Sequence, residues 1–250
     1  SGQNSFGLVQ NLTYDDAGRV DYVASDLAAD MDILSVAWLP DGVTVDANFG
    51  SVSHGSGGAG SDVYTDYFAG IEVFSLTDND DYFAGGGGVD INWIDPGPGN
   101  DTIYGVDSVF TVLDYSSDTN DFGVYIYNSD ISSGIPIPGE ASPKMVENGD
   151  QFDGAVIDEN GHIDVYTNVD YFVGSRTDDT FIGGSGSDQF NAMWSDGDGD
   201  TFDGGDGDDT LIIENGFTNR GVYGDLYDMW GGGVSINDIE LDSIVVTKSA

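Results

Sequence analysis

"GGSGSDQFN" (residues 183–191) and "GGDGDDTLI" (204–212) decide how this chain is read. Each nonamer has glycine at positions one, two and four, aspartate at six and an apolar residue at eight. A pattern this regular marks a repeat, to be read before any helix or strand is assigned. Glycines let the turn backbone reach positive φ and approach its neighbours closely, and the position-eight side chain is buried.

Moving outward, the same acid–apolar pair recurs at spacing nine. Asp170/Phe172, Asp179/Phe181 and Asp188/Phe190 lead into the first full nonamer, and after a three-residue slip Asp200/Phe202 and Asp209/Leu211 follow. An earlier, degenerate pass has Glu72/Phe74, Asp81/Phe83 and Asp90/Asn92, then a two-residue slip to Asp101/Ile103. "DNDDYFAGGGGVD" (78–90) and "RTDDTFIGGSGSD" (176–188) therefore stand as equivalent stretches of one repeated frame.

A longer period encloses the short one. "VDYVASD" (20–26) matches "LDYSSDT" (113–119), and "DGVTVDAN" (41–48) matches "FGVYIYN" (122–128). "GIEVFSL" (70–76) matches "NVDYFVG" (168–174) and again "DIELDSI" (238–244). The expected organisation is a first unit over 1–113, a second over 114–212 and a C-terminal half-unit over 213–250. Alternating runs such as "GVTVDANF" and "GVYIYN" predict strands in the first half of each unit, as wider windings with inserted loops. Residues 129–150, with three prolines, are expected to be an exposed insertion. Helix is expected to be scarce, with 25–38 the one stretch suited to a helical turn or two.

Composition sets the chemistry. The 250 residues carry 46 acids against 5 basic residues, a formal charge of −41, yet 39% are apolar. The apolar share argues for a folded chain, and self-repulsion at that charge argues for a cationic partner. Forty of the acids are Asp, a residue suited to turns rather than to helix faces. Asp-rich glycine turns have the character of oxygen cages for a hard cation, and Ca2+, taking six to eight oxygens in flexible geometry, fits best. Nucleic acid is a poor partner for a chain with so little Lys and Arg. No apolar run is long enough to span a bilayer as a helix. Cysteine is absent, which removes disulfides and thiolate chemistry.

The nonamers match G-G-x-G-x-D-x-U-x, so the chain resembles the hemolysin-type, or RTX, calcium-binding family, most closely over 174–212 and in degenerate form over 67–105. The resemblance implies an all-β fold: a parallel β-roll or β-helix solenoid with several Ca2+ ions held between stacked turns. The metal ligands it points to are Asp179, Asp188, Asp200 and Asp209, then Asp81, Asp90 and Asp101. Asp80, Asn100, Asp178, Asp206 and Asp208 are neighbouring candidates. A linear calcium loop over 196–208 is the weaker alternative, because Gly207 stands where its twelfth-position carboxylate belongs.

Catalytic signals do not rise above this background. The two histidines, His54 and His162, fall at positions that do not correspond in the long repeat, and no H-E-x-x-H motif is present. Arg176 lies within a turn of the repeat, where neutralising neighbouring aspartates is its expected role. Trp38, Trp93, Trp194 and Trp230 are expected to be core or end packing, with a sugar-binding surface as the alternative. The expected function is that of a secreted, non-enzymatic, calcium-dependent structural or surface protein. Self-association into a polymer or lattice and contact with a cell-surface glycan are the expected partnerships. A calcium-binding module of a type I secreted toxin or hydrolase is the alternative, and a β-helical polysaccharide-active enzyme a more distant one.

Overall fold

The computed structural model describes residues 7–8, 31–55, 63–86, 88–118, 123–137, 140–158, 160–192, 200–207, 209–215, 235–236 and 243–248. The chain divides into two compact units, Ser1–Leu113 and Asp114–Ala250. Among the described residues both are almost entirely β, with a single 3-10 turn at Gly149–Gln151.

The first unit contains β1 (Gly7–Leu8), β2 (Asp32–Ser35), β3 (Val43–Asp46), β4 (Ser51–Gly55), β5 (Val63–Tyr67), β6 (Val73–Ser75), β7 (Tyr82–Ala84), β8 (Ile91–Asp95), β9 (Thr102–Tyr104) and β10 (Phe110–Asp114). From β6 onward, successive strands go to alternate sheets. Strands β1, β2, β6, β8 and β10 line up in that order, all parallel. The other sheet runs β9–β7–β3–β4–β5, parallel as far as β3 and antiparallel beyond it.

The second unit repeats this plan with β11 (Tyr125–Tyr127), β12 (Gly154–Ile157), β13 (Ile163–Thr167), β14 (Tyr171–Val173), β15 (Thr180–Ile182), β16 (Gln189–Asn191), β17 (Thr201–Asp203), β18 (Thr210–Asn215), β19 (Ser235–Ile236) and β20 (Ser243–Lys248). Strands β14–β16–β18–β20 are parallel throughout. Strands β19–β17–β15–β11 are parallel and continue into the antiparallel pairs β11–β12 and β12–β13. The first half of each unit thus adds an antiparallel meander to a parallel sheet, where wider windings were expected.

In each three-residue strand the central side chain is buried, joined by Val173 in β14 and Asn191 in β16. Phe74, Phe83, Ile103, Phe181, Phe190, Phe202 and Leu211 are fully buried, and Phe172 nearly so. Phe172 stands opposite Phe190, Phe181 opposite Phe202 and Phe190 opposite Leu211. Ring centroids of Phe181 lie 5.2 Å from those of both Phe190 and Phe202. Each such ring removed from water contributes roughly 1.5–3 kcal/mol, so this aromatic column is the main apolar support of the second unit.

Three expectations are corrected. Met31–Trp38, the described part of 25–38, contains no helix but the strand β2, paired with β6 through Ile33, Leu34 and Ser35, and a single turn closed by Leu39 N to Val36 O; 25–30 lie outside the described residues. Residues 129–150 are not simply exposed. Ile131 and Ile135 are fully buried against Ala155, Ile157 and Val165, so this segment builds a second small core over β11–β13. Lys144 fastens it by donating to Gly161 O, and Ile135 bridges Lys144. The two-residue slip in the first unit falls before β8, not after it: Ile94, rather than Asn92, stands opposite Phe74 and Leu113. Of the tryptophans, Trp38 is half exposed and Trp93 partly buried, while Trp194 and Trp230 lie outside the described residues. The half-unit 213–250 is described only at 213–215 and in β19 and β20.

Candidate cation-binding turns

Two residues before the buried strand centre sits the acid of the repeat, or Asn92 in β8, and six of these acids share one geometry. The carboxylate accepts the backbone N–H of the residue at the matching position two repeats earlier. Val43 N donates to Asp81 Oδ1 at 2.6 Å, and Asp81 N to Asp101 Oδ1 at 2.7 Å. Val124 N donates to Asp179 Oδ1 at 2.8 Å, and Asp179 N to Asp200 Oδ1 at 2.9 Å. Asp188 N donates to Asp209 Oδ1 at 2.9 Å, and Asp32 N to Glu72 Oε2 at 2.9 Å. Strand pairing leaves this amide at the strand's entrance without a ladder partner, so the acid supplies one.

The same carboxylates also close their own turns. Thr77 N donates to Asp81 Oδ2 at 2.7 Å and Gly184 N to Asp188 Oδ2 at 3.0 Å. Ser175 Oγ donates to Asp179 Oδ1 at 2.7 Å. Asn128 Nδ2 reaches Asp188 Oδ1 at 2.5 Å, and its Oδ1 in turn accepts from the buried Tyr166 hydroxyl.

Burial makes this arrangement electrostatically demanding. Asp81, Asp101, Asp179, Asp188, Asp200 and Asp209 are all buried. Desolvation raises the Asp179 carboxyl to about 6 against the pull of the Ser175 and Val124 hydrogen bonds. Desolvation, reinforced by the charge of Asp179, raises Asp200 to about 8. Asp81 and Asp188 are also raised by burial. Furthermore, Asp101 Oδ2, Asp179 Oδ2 and Asp209 Oδ2 are buried and accept no hydrogen bond, although the other oxygen of each carboxylate is engaged. A buried carboxylate oxygen without a donor costs about 1–3 kcal/mol or more.

Backbone oxygens surround these acids. A Cβ on Gly183 would lie 2.0 Å from Gly204 O and 2.5 Å from Asp188 Oδ2. One on Gly174 would lie 2.2 Å from Asp179 Oδ2, and one on Gly123 2.2 Å from Asp178 O and 2.4 Å from Asp179 Oδ1. Only glycine permits so close an approach of oxygens. The donor set is all oxygen, anionic and short of hydrogen bonds, which is what a hard divalent cation takes. Among the described residues no three acidic or histidine side chains converge. A cation here would be held by one or two carboxylates with turn carbonyls completing its shell.

The remaining candidates lie elsewhere. Asp80, Asp90, Asn100, Asp178 and Asp206 are exposed, and Asp208 lies outside the described residues. Asp80 Oδ1 accepts from both Asn100 N and Asn100 Nδ2, linking two repeats at the surface. With the slip placed before β8, the position two residues before the strand centre belongs to Asn92, not Asp90. Asn92 is fully buried; its Oδ1 accepts from Gly86 N at 2.9 Å, and its Nδ2 donates to Gly86 O and Ile91 O. Arg176 is exposed. His54 pairs with Asp66 at 2.9 Å inside the first unit, and His162 with Asp158 at 2.8 Å across a turn.

Asn92 and Asn128 were not legible as site residues. The motif names an acid at that position, and Asn128 lies 60 residues from the aspartate it supports. Thr77 and Ser175 did carry a signal, each standing four residues before its aspartate. Among the described residues no helix is long and apolar enough to cross a membrane. No protein-family profile matches the chain, and no curated protein matches it significantly.

Proposed function

We infer that this chain is a calcium-stabilised parallel β-roll of the RTX kind, acting as a secreted structural or cell-surface protein. The observation that carries the reading is the set of buried aspartates whose second oxygens accept no hydrogen bond, set among glycine-turn carbonyls. Asp179, Asp188, Asp200 and Asp209 in the second unit, and Asp81 and Asp101 in the first, are the residues that would hold the ions. Bound Ca2+ supplies positive charge where burial opposes ionisation, so metal binding and folding are coupled. The carboxylates hold the repeats in register through their N–H bonds, and the glycines bring the carbonyls close. The repeats run through both units, which favours a scaffold over an enzyme. Self-association into a lattice and attachment to surface glycans belong to this reading as its partnerships.

The test is a calcium titration of EDTA-treated protein followed by circular dichroism, with sizing in parallel. A saturable gain of β signal and a compact elution volume are expected. Unchanged spectra and elution from zero to millimolar Ca2+ would overturn the reading, and a strictly monomeric calcium-loaded protein would remove the lattice.

A further inference from the structure

The second unit covers the outer face of its meander with its own chain, and the first unit does not. In β11–β13 the outward residues are Tyr125, Tyr127, Ala155, Ile157, Ile163 and Val165, and Ile131 and Ile135 of the 129–150 segment pack on that face. Strand register places Thr44, Asp46, Ser51, Ser53, Thr65 and Tyr67, in that order, at the matching positions of β3–β5. Here residues 47–50 alone join β3 to β4. Thr44, Thr65 and Tyr67 are exposed, and Asp46, Ser51 and Ser53 partly so. Parallel pairing extends this face over β7 and β9. One row runs Thr102, Tyr82, Thr44, Ser53 and Thr65, a hydroxyl on each of five strands. The next row has Tyr104 at one end and Tyr67 at the other. Ring centroids of Tyr82 and Tyr104 are 5.5 Å apart, and those of Phe49 and Tyr67 6.2 Å. A face that meets only water needs the hydroxyls but not the rings. Yet Phe49, Val63, Tyr67 and Tyr82 are four of the seven large apolar side chains exposed among the described residues, and gathering them on one face marks a contact surface.

Hydroxyls set between exposed rings suit a sugar chain. The C–H face of a hexose packs on an aromatic ring, and its hydroxyls exchange hydrogen bonds with Ser, Thr and Tyr, which both donate and accept. Charge narrows the class. Residues 31–113 contain 13 acids and no Lys or Arg, a field that repels an anionic glycan and a second copy of this chain alike. A basic protein would be drawn to the whole acidic surface rather than to a face so poor in charge. Asp46, the single acid in the two rows, is engaged by its own turn, its Oδ1 accepting from Phe49 N at 2.8 Å. From β7 to β5 is three strand steps, about 14 Å at the usual spacing, so only a chain of several sugars reaches both pairs of rings. We propose that the outer face of the β9–β7–β3–β4–β5 sheet binds a neutral oligosaccharide laid across the strands. This rests on the surface-attachment reading given above and supplies its site and class of glycan.

The test uses the full chain in calcium-containing buffer, titrated by calorimetry and NMR. The probes are cellohexaose, chitohexaose and maltohexaose, with an oligogalacturonate of the same length as the anionic comparison. At least one neutral hexasaccharide is expected to bind saturably and severalfold more tightly than its disaccharide, and the oligogalacturonate not to bind. Tyr82→Ala and Tyr67→Ala should each weaken that binding about fivefold to tenfold. Thr44→Val, which keeps the shape and removes one hydroxyl, should weaken it severalfold with the fold intact by circular dichroism. Phe110→Ala, an exposed ring in the other sheet of this unit, should leave it unaltered. No saturable binding of any neutral hexasaccharide would overturn the proposal. So would equal binding of the oligogalacturonate, or an affinity unchanged in both tyrosine variants. A chain that gains β signal with Ca2+ yet binds no sugar rejects this face and leaves the calcium reading standing; sugar binding that needs no Ca2+ does the reverse.

Discussion

Replacing Gly183 by alanine tests whether repeats two apart approach as closely as the structure has them. The added methyl carbon would lie 2.0 Å from Gly204 O, 2.5 Å from Asp188 Oδ2 and 2.7 Å from Gly204 C. The first and last of these are backbone atoms, so no side-chain rotation relieves the contact. Ordinary contact requires the two segments to separate by more than an ångström. That movement strains the Gly183 N to Asp203 O bond of 2.7 Å and the Gly184 N to Asp188 Oδ2 bond of 3.0 Å. Overpacking of this kind costs about 1–3 kcal/mol, and each weakened hydrogen bond about 1 kcal/mol. Gly183→Ala should therefore destabilise the second unit by about 3–5 kcal/mol. The control is three residues away. A Cβ on Gly186 meets nothing within 4 Å and the residue does not sit at positive φ. Gly186→Ala should be neutral or stabilise by about 0.4–1 kcal/mol through the unfolded chain. Chemical denaturation followed by near-ultraviolet circular dichroism, with hydrogen exchange over 180–182 and 201–203, reads both variants. If the two alanine variants unfold within 1 kcal/mol of each other, the close approach argued for here is wrong.

The buried carboxylates predict a pH dependence of definite sign. Asp179 and Asp200 are raised to about 6 and about 8 from 3.8, so the folded chain holds their protons more tightly than the unfolded one. In EDTA, stability should be highest below pH 4 and decline as pH rises through 6 and on through 8, by several kcal/mol in all. Asp200→Asn should flatten that decline, and urea midpoints between pH 4 and 9 would detect it. Asn92→Asp removes the donor to Gly86 O and buries a charge. It should destabilise the first unit by about 2–4 kcal/mol in EDTA, as seen by hydrogen exchange over 82–95. Ile135→Ala should cost about 2–4 kcal/mol by denaturation, whereas an exposed loop position there would cost almost nothing.

Much of the second unit was legible because its signal is local. An acid two residues before an apolar residue, repeated every nine, is enough to place β14, β15 and β16 and to bury Phe172, Phe181 and Phe190. The first unit was less so, because Asn92 broke the motif while keeping its geometry. Asp90 satisfied the spacing and Asn92 satisfied the backbone, and only strand pairing distinguishes them. The segment 129–150 misled for a different reason. Its prolines and serines mark a loop, but Ile131 and Ile135 find apolar partners 20 to 34 residues later in the chain, which no local pattern reveals. The hydrogen bonds of Asp81, Asp179 and Asp188 were invisible too, since the motif gives the residue type but not which amide it meets.

Those hydrogen bonds have a direction. The buried carboxylates of the repeat cap amides that came earlier in the chain: Asp101 serves Asp81, Asp200 serves Asp179, and Asp209 serves Asp188. As the polypeptide emerges from its N-terminus, the amides of Asp81, Asp179 and Asp188 are thus left as open donors until the repeat two places behind arrives. A lost carboxylate is felt toward the N-terminus as a missing acceptor, whereas toward the C-terminus the backbone bonds from Thr102 N to Asp81 O, Thr201 N to Asp179 O and Thr210 N to Asp188 O stay intact. The stack is polar in its error propagation as well as in its strands. Removing repeats from its two sides should not be equivalent, even where the residues removed are alike.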